Sequence, residues 1–173
     1  MQTQPESRPA TPQLGHYEID TGHSVVKFRT RHLFGLGPVR GTFGIVSGSA
    51  DVAEPLTDSA VQAEIDPESF STGNPQRDHA VRSPRLLDPR RFPVIAFRNG
   101  RVSADGATLA GELTVQDVIR PVTLALGPVT RSADSFTGTA SVRIDRTEFG
   151  VTAMRGLAGR YLDLTLEARF IRA

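Results

Sequence analysis

Five arginines, Arg77, Arg82, Arg85, Arg90 and Arg91, crowd one short stretch of this chain, opposed there only by Asp78 and Asp88. Guanidinium forks match the oxygens of phosphate and carboxylate, so the cluster has the chemistry of an anion site. For any single arginine the favoured arrangement is simpler: Arg77 and Arg82 paired with the aspartates, the others in water. For the cluster as a whole an anionic headgroup remains a hypothesis. Asp78, His79 and Ser83 could suggest a hydrolase. A triad, however, needs its serine on a strained turn beside an oxyanion hole, and a serine just before Pro84 offers neither. His16, His23 and His32, with Asp20, lack the tight spacing of metal ligands, which favours exposed or hydrogen-bonded histidines. The run GLGPVRG at 35–41 superficially resembles a dinucleotide fingerprint. Its spacing is one residue too long and no helix follows it, so that reading is rejected.

The arginines sit inside a segment, 61–97, that reads as strand, loop, short helix, strand. Val61, Ala63 and Ile65 alternate with Gln62, Glu64 and Asp66, the period of a strand with one wet face. Pro67, which has no N–H for a ladder, is expected to end it. The run 71–75 (STGNP) is turn chemistry, and Asn74 before Pro75 is an N-cap signature for one or two helical turns from Gln76 to about Arg85. Residues 92–97 (FPVIAF) form the next strand. The insert is long for a hairpin, and long connections are often functional.

Alternation recurs through the rest of the chain. Residues 16–20 read as a short edge strand. Residues 24–33 place Val26, Phe28, Thr30 and His32 on one face and Val25, Lys27, Arg29 and Arg31 on the other. A hairpin connection at 35–38 leads into a long strand over 39–52 carrying Phe43, Ile45 and three glycines. Asn99-Gly100 and 104–106 are turn signals, and 117–121 is expected to turn the chain. Strands follow over 108–116, 122–126 and 136–144. Then come a glycine-rich loop at 147–159 and the most regular run, 161–171, with Leu162, Leu164, Leu166, Ala168 and Phe170 on one side. About eight short-spaced strands with one apolar face each suggest an antiparallel sandwich or an up-and-down barrel. Long, even strands favour the barrel, whose closure removes exposed edges. Inward Gly111, Gly138 and Ala140 leave room inside, an expectation that alternation alone shares with a filled core.

A chain of 173 residues suffices for one domain with a sizeable core. Its net charge of +1 gives no bulk pull toward nucleic acid or a membrane surface. The absence of cysteine excludes disulfides, thiolate metal sites and a cysteine nucleophile. Residues 1–14 lack the pattern of a secretory signal and read as a disordered leader before a domain at 15–173, which makes a cytoplasmic location the expectation. No apolar run approaches a membrane span.

These residues resemble the YceI-like family, bacterial lipid-binding proteins with a lipocalin-like barrel. The resemblance runs from Tyr17 to the C-terminus and is carried by Tyr17-Glu18-Ile19-Asp20 with His23-Ser24, and by Ile65-Asp66 with Ser69, Thr72 and Arg77-Asp78. It continues through Ser83, Asp88, Phe92-Pro93, Ile95 and Phe97, then Gly111, Leu113-Thr114, Arg120-Pro121-Val122, Ile144-Asp145-Arg146 and Phe149-Gly150. Three departures stand out. His79 directly follows the Arg-Asp pair, where the family usually has a histidine two places on. Asp117 and Ile119 replace a usual glycine and threonine. Many members are periplasmic.

The resemblance implies an eight-stranded antiparallel lipocalin-like barrel with a short helical insert between two strands. It also implies a non-enzymatic role, no cofactor beyond a bound isoprenoid or fatty amphiphile, no metal, and often a homodimer, with transient membrane contact an open expectation. The tail would lie against Val26, Phe28 and Phe43, then Ile65, Phe70, Leu86, Leu87 and Phe92. Ile95, Phe97, Leu113, Val115, Val142, Ile144, Phe149 and Met154 would complete the tunnel. Arg77, Asp78, His79 and Arg82 would meet the head at a mouth bordered by the 76–91 insert. A ligand-free stress or interaction barrel, and an enzyme acting on a hydrophobic substrate, are the alternatives.

Overall fold

The computed structural model describes residues 11–32 and 36–173. The leader expectation for 1–10, the side chain of His32, and Leu33 and Gly35 of the first hairpin lie outside them. In chain order the elements are β1 (Gly15–Ile19), β2 (Val25–His32), β3 (Gly37–Val52), β4 (Ala60–Ser71), α1 (Pro75–Val81), β5 (Ile95–Val102), β6 (Thr108–Val115), β7 (Val118–Leu126), β8 (Thr130–Arg131), β9 (Ser135–Asp145) and β10 (Tyr161–Arg172). Three short 3-10 turns complete the set.

Every ladder is antiparallel. Strands β2 to β7, then β9 and β10, each pair with the next, and β10 returns to β2 to close an eight-position barrel. One position is shared. The long β3 and β10 flank β1 at one end (Ala50↔Tyr17, Arg172↔Tyr17) and β2 at the other (Phe43↔Val26, Leu166↔Val26). Between them a 3-10 turn at Thr21–His23 steps the chain over, with the Asp20 carboxylate accepting from the Gly22 N–H at 3.2 Å. Residues 16–20, expected at an edge, are therefore paired on both sides.

Inward residues follow the alternation. On β10, Ala168 and Phe170 are buried and Leu162, Leu164 and Leu166 half-buried, while Tyr161 is exposed. Phe28, Phe43 and Phe70 form one aromatic cluster, with ring centroids 5.1–5.5 Å apart. A second apolar group joins Phe97, Leu109, Leu113, Ile144 and Phe149.

Three expectations are corrected. Pro67 does not end β4, which runs on to Ser71. Pairing with β5 stops at Ile65, and the β3 register skips from Asp66 to Ser71, so the missing N–H of Pro67 falls where no ladder needs it. Pro121 likewise lies within β7, opposite Glu112; β7 meets β9 only at Ala125 and Leu126, leaving Pro121 on a free flank. Asn99-Gly100 is a bulge inside β5, with Asn99 at φ 55°. A Cβ on Gly100 would stand 2.6 Å from the Phe97 ring, which is why glycine sits there.

Residues 11–14 are tied down. The Thr11 carbonyl accepts from Arg131 and the Leu14 carbonyl from Arg172, each at 3.1 Å, and the Gln13 carbonyl accepts from the Tyr17 hydroxyl at 2.8 Å.

Candidate functional site

One end of the barrel holds a cavity of about 350 Å³ that is open to the outside. Its walls come from inward positions of the strands: Val26, Phe28 and Thr30 of β2, Val39 and Phe43 of β3, Ile65 and Phe70 of β4, and Ile95 of β5. Leu113 and Val115 of β6, Ile144 of β9, and Leu162 and Leu164 of β10 complete them. Two segments close the mouth. The β4–β5 connection contributes Arg77, Ala80 and Val81 from α1, then Leu86 and Leu87. The β9–β10 connection contributes Arg146, Phe149, Val151, Met154, Leu157, Ala158 and Gly159.

Local chemistry fixes both segments. Helix α1 starts as its sequence suggests, with the Asn74 side chain accepting from the Arg77 N–H at 3.1 Å and Pro75 in the first turn. Asp78 is buried, and its carboxylate receives the Thr72 N–H at 3.0 and 3.1 Å and the Thr72 hydroxyl at 2.6 Å. Gln116, at the β6–β7 turn, donates to the Leu86 carbonyl at 2.6 Å. On the other segment Arg146 donates to four carbonyls. Those of Val151, Ala153 and Gly159 lie at 2.8 Å and that of Ala158 at 3.2 Å. Burial pushes this guanidinium below its ordinary pKa. Next to it, hydrogen bonds from Arg160 and Thr147 hold the Asp145 carboxyl down at about 2.

The cavity is thus lined almost entirely by carbon. Its polar side chains are turned to protein partners: Thr30 to the Tyr161 carbonyl at 2.7 Å, Arg77 to the Thr72 hydroxyl at 3.3 Å, and Arg146 as above. No cluster of three potential metal ligands occurs among the described residues. His16 bonds Asp51 and Glu18, and His23 bonds Asp20.

Of the residues expected along the tunnel, Val26, Phe28, Phe43, Ile65, Phe70, Leu86, Leu87, Ile95, Leu113, Val115, Ile144, Phe149 and Met154 line this cavity. Phe92, Phe97 and Val142 do not. Phe97 is buried, its ring filling the space over Gly111, which therefore leaves no room for a ligand. Val142 is half-buried and packs against the Phe97 group, and Phe92 lies under the Arg91 guanidinium at 5.0 Å. Among the expected headgroup residues only Arg77 borders the cavity. Asp78 is turned to Thr72, His79 is exposed, and Arg82 donates to the Phe70 carbonyl at 2.5 Å while its Nε is buried without a hydrogen-bond partner.

Sequence reasoning missed Thr30, Val39, Leu162 and Leu164, although their alternation already placed all but Val39 inward. It also missed Arg146, whose role depends on a loop closing over it. A second cavity of about 240 Å³ lies toward the other end, between Leu109, Phe136, Leu166, Phe170 and the Thr11-Pro12 segment.

A closed meander with an apolar chamber under a short helix defines a lipocalin-like β-barrel. The YceI-like domain model matches residues 17–170, and the chain belongs to that family. A UPF0312 protein of Enterobacter sp. (strain 638) is 32% identical over 167 residues, covering 90% of this chain and 86% of that protein. Protein YceI of Escherichia coli is 29% identical over 167 residues, with the same shares covered. Among solved structures, Burkholderia cenocepacia BcnA superposes with a TM-score of 0.74 at 19% identity, covering 87% of this chain and 98% of that one. A polyisoprenoid binding domain from Saccharophagus degradans gives a TM-score of 0.69 at 15% identity, covering 93% and 100%.

Proposed function

We propose that the protein binds a long-chain isoprenoid or a similar amphiphilic lipid, its tail in the apolar chamber, and carries it without altering it chemically. The observation that carries this reading is the chamber itself: about 350 Å³ walled by aliphatic and aromatic side chains, with its polar groups engaged by the protein. Its two guanidinium groups, Arg77 and Arg146, are turned to protein acceptors, and the rest of the wall offers carbon to a tail. The polyisoprenoid-binding description of one structural neighbour supports the same class of ligand.

Each buried methylene contributes about 0.8 kcal/mol against water, so affinity against water does not limit such a site. The competitor is the bilayer, which is equally apolar. Loading is then decided by access to the chamber and by what holds the head.

Native mass spectrometry of protein purified without detergent, followed by lipid extraction, tests the proposal. The expected result is a stoichiometric isoprenoid or fatty amphiphile. A clean apo mass, together with failure of the delipidated protein to bind added farnesol and longer prenols, would overturn it.

A further inference from the structure

Outside the chamber, at the same end, is a second hollow with the opposite chemistry. It occupies about 480 Å³, and its charged lining is Arg29, Arg31, Arg40, Arg143 and Arg160 against the single carboxylate of Asp163. The register explains the crowding. Arg40, Arg29, Asp163 and Arg143 are direct cross-strand partners in one row over β3, β2, β10 and β9.

Asp163 does not neutralise the row. Both of its oxygens are held by Arg143, at 2.9 and 3.2 Å. Arg160 is likewise paired, with Asp145 at 2.9 Å, and Arg143 and Arg160 both lie over the Tyr161 ring, at 5.8 and 5.2 Å. Arg31 has an interaction of its own within the protein, which leaves Arg29 and Arg40. Both are exposed, and neither side chain makes a hydrogen bond or ion pair among the described residues, although Arg29 adds its charge to that of Arg143 in lowering Asp163. Two like charges directly opposite on adjacent strands oppose pairing. An anion bound between them would reverse the sign of that interaction.

The hollow and the chamber also meet. Thr30, Val39, Ala158 and Gly159 border both. Backbone pairing between β2 and β10 ends at Arg29↔Asp163; beyond it the Thr30 hydroxyl donates to the Tyr161 carbonyl, and Gly159 packs against Thr30 and the Arg31 carbonyl. The rim there is completed by the loop 156–160 and not by a ladder.

We infer that this arginine hollow is the binding site for a phosphate-type anionic head of the lipid whose tail occupies the chamber, the molecule crossing the border that the two share at Thr30, Val39, Ala158 and Gly159. The inference rests on the proposed lipid reading. It moves the head from Arg77 and Arg82, of which only Arg77 borders the chamber, to the side of the mouth formed by β2, β3 and the 156–160 loop.

The test is isothermal titration of the delipidated full chain with farnesyl phosphate, farnesol and inorganic phosphate, for the wild type and for the double variant Arg29→Gln/Arg40→Gln. The two side chains lie on the outer face, and thermal melting checks that the variant folds. Wild type is expected to prefer farnesyl phosphate over farnesol by about tenfold or more, and the variant to lose that preference while keeping its farnesol affinity. Equal wild-type affinities for the two, or a variant that keeps the full preference, overturns the inference. Inorganic phosphate binding as tightly as farnesyl phosphate overturns the headgroup assignment in favour of a free-anion site. An NMR titration with inorganic pyrophosphate separates the two failures. Amide shifts at residues 29, 40 and 160–163 without any farnesol binding would keep the anion site and remove the lipid reading. No shifts at millimolar pyrophosphate would remove the anion site.

Discussion

Arg146 brings a guanidinium to the chamber wall and meets carbonyl groups there, four of them, all from the loop that roofs the chamber. It acts as the hub of that loop. Its neighbour Asp145 completes the anchor by accepting from Arg160 and from both the N–H and the hydroxyl of Thr147. Asp145 carries a pH signature. Its pKa is lowered from 3.8 to about 2, so the folded state favours the carboxylate. The stability it contributes is fully present above the ordinary carboxylate value and is lost as pH falls from about 4 toward 2. Asp163 is lowered in the same direction by Arg143. Urea midpoints measured across this interval should fall with pH in the wild type, and Asp145→Asn should flatten part of that slope. An unchanged slope would show that Asp145 does not feel Arg160 in solution.

The elements divide into a frame of strands and two inserted segments that close the chamber, and they differ in what holds them. The strands are held by ladders. Helix α1, seven residues long, depends on its cap, on Asp78 reaching back to Thr72, and on the Gln116 tether to the segment that follows it. Replacing Asn74 by alanine removes the acceptor for the Arg77 N–H and should cost about 1 kcal/mol. Because α1 is a lid, the loss should appear first as faster amide exchange over 75–87, ahead of any change in the strands; uniform loss of protection would instead tie α1 to the barrel's global unfolding.

The helix cap, most of the strands and most of the chamber wall were legible from the sequence because each rests on local chemistry or a two-residue period. What alternation does not encode is height along the barrel. It puts Phe97 and Leu113 on inward faces alike, yet Phe97 fills the space over Gly111 while Leu113 looks into the chamber. Nor does it show which charges converge. The five arginines of residues 77–91 are neighbours in sequence, yet only Arg77 of them borders the chamber, whereas Arg29, Arg40, Arg143 and Arg160 come from four different places in the sequence and share one hollow.

For the molecule as a whole, stability and loading are coupled. A ligand that binds only the folded barrel stabilises it in proportion to the logarithm of its saturation. An unoccupied chamber forfeits the contacts its lining would otherwise make. Ala80 borders the chamber from α1, so Ala80→Leu adds carbon into open space. The lipid-free variant should melt higher than lipid-free wild type, and its lipid stoichiometry should drop. A variant that is both less stable and fully loaded would mean that the side chain points elsewhere.

The ring of strands is completed by an element from the far end of the chain. Strand β10 zips onto β9 and, across more than a hundred residues of sequence, onto β2 and β1, as in Thr165↔Lys27 and Tyr17↔Arg172. During synthesis, β2 and β9 are therefore open edges until residues 161–172 have emerged. A nascent chain stalled before that point presents unpaired strands and an uncovered apolar interior, a target for chaperones or self-association. Closure must also bring distant segments together, which places folding on the slow side for a domain of this size.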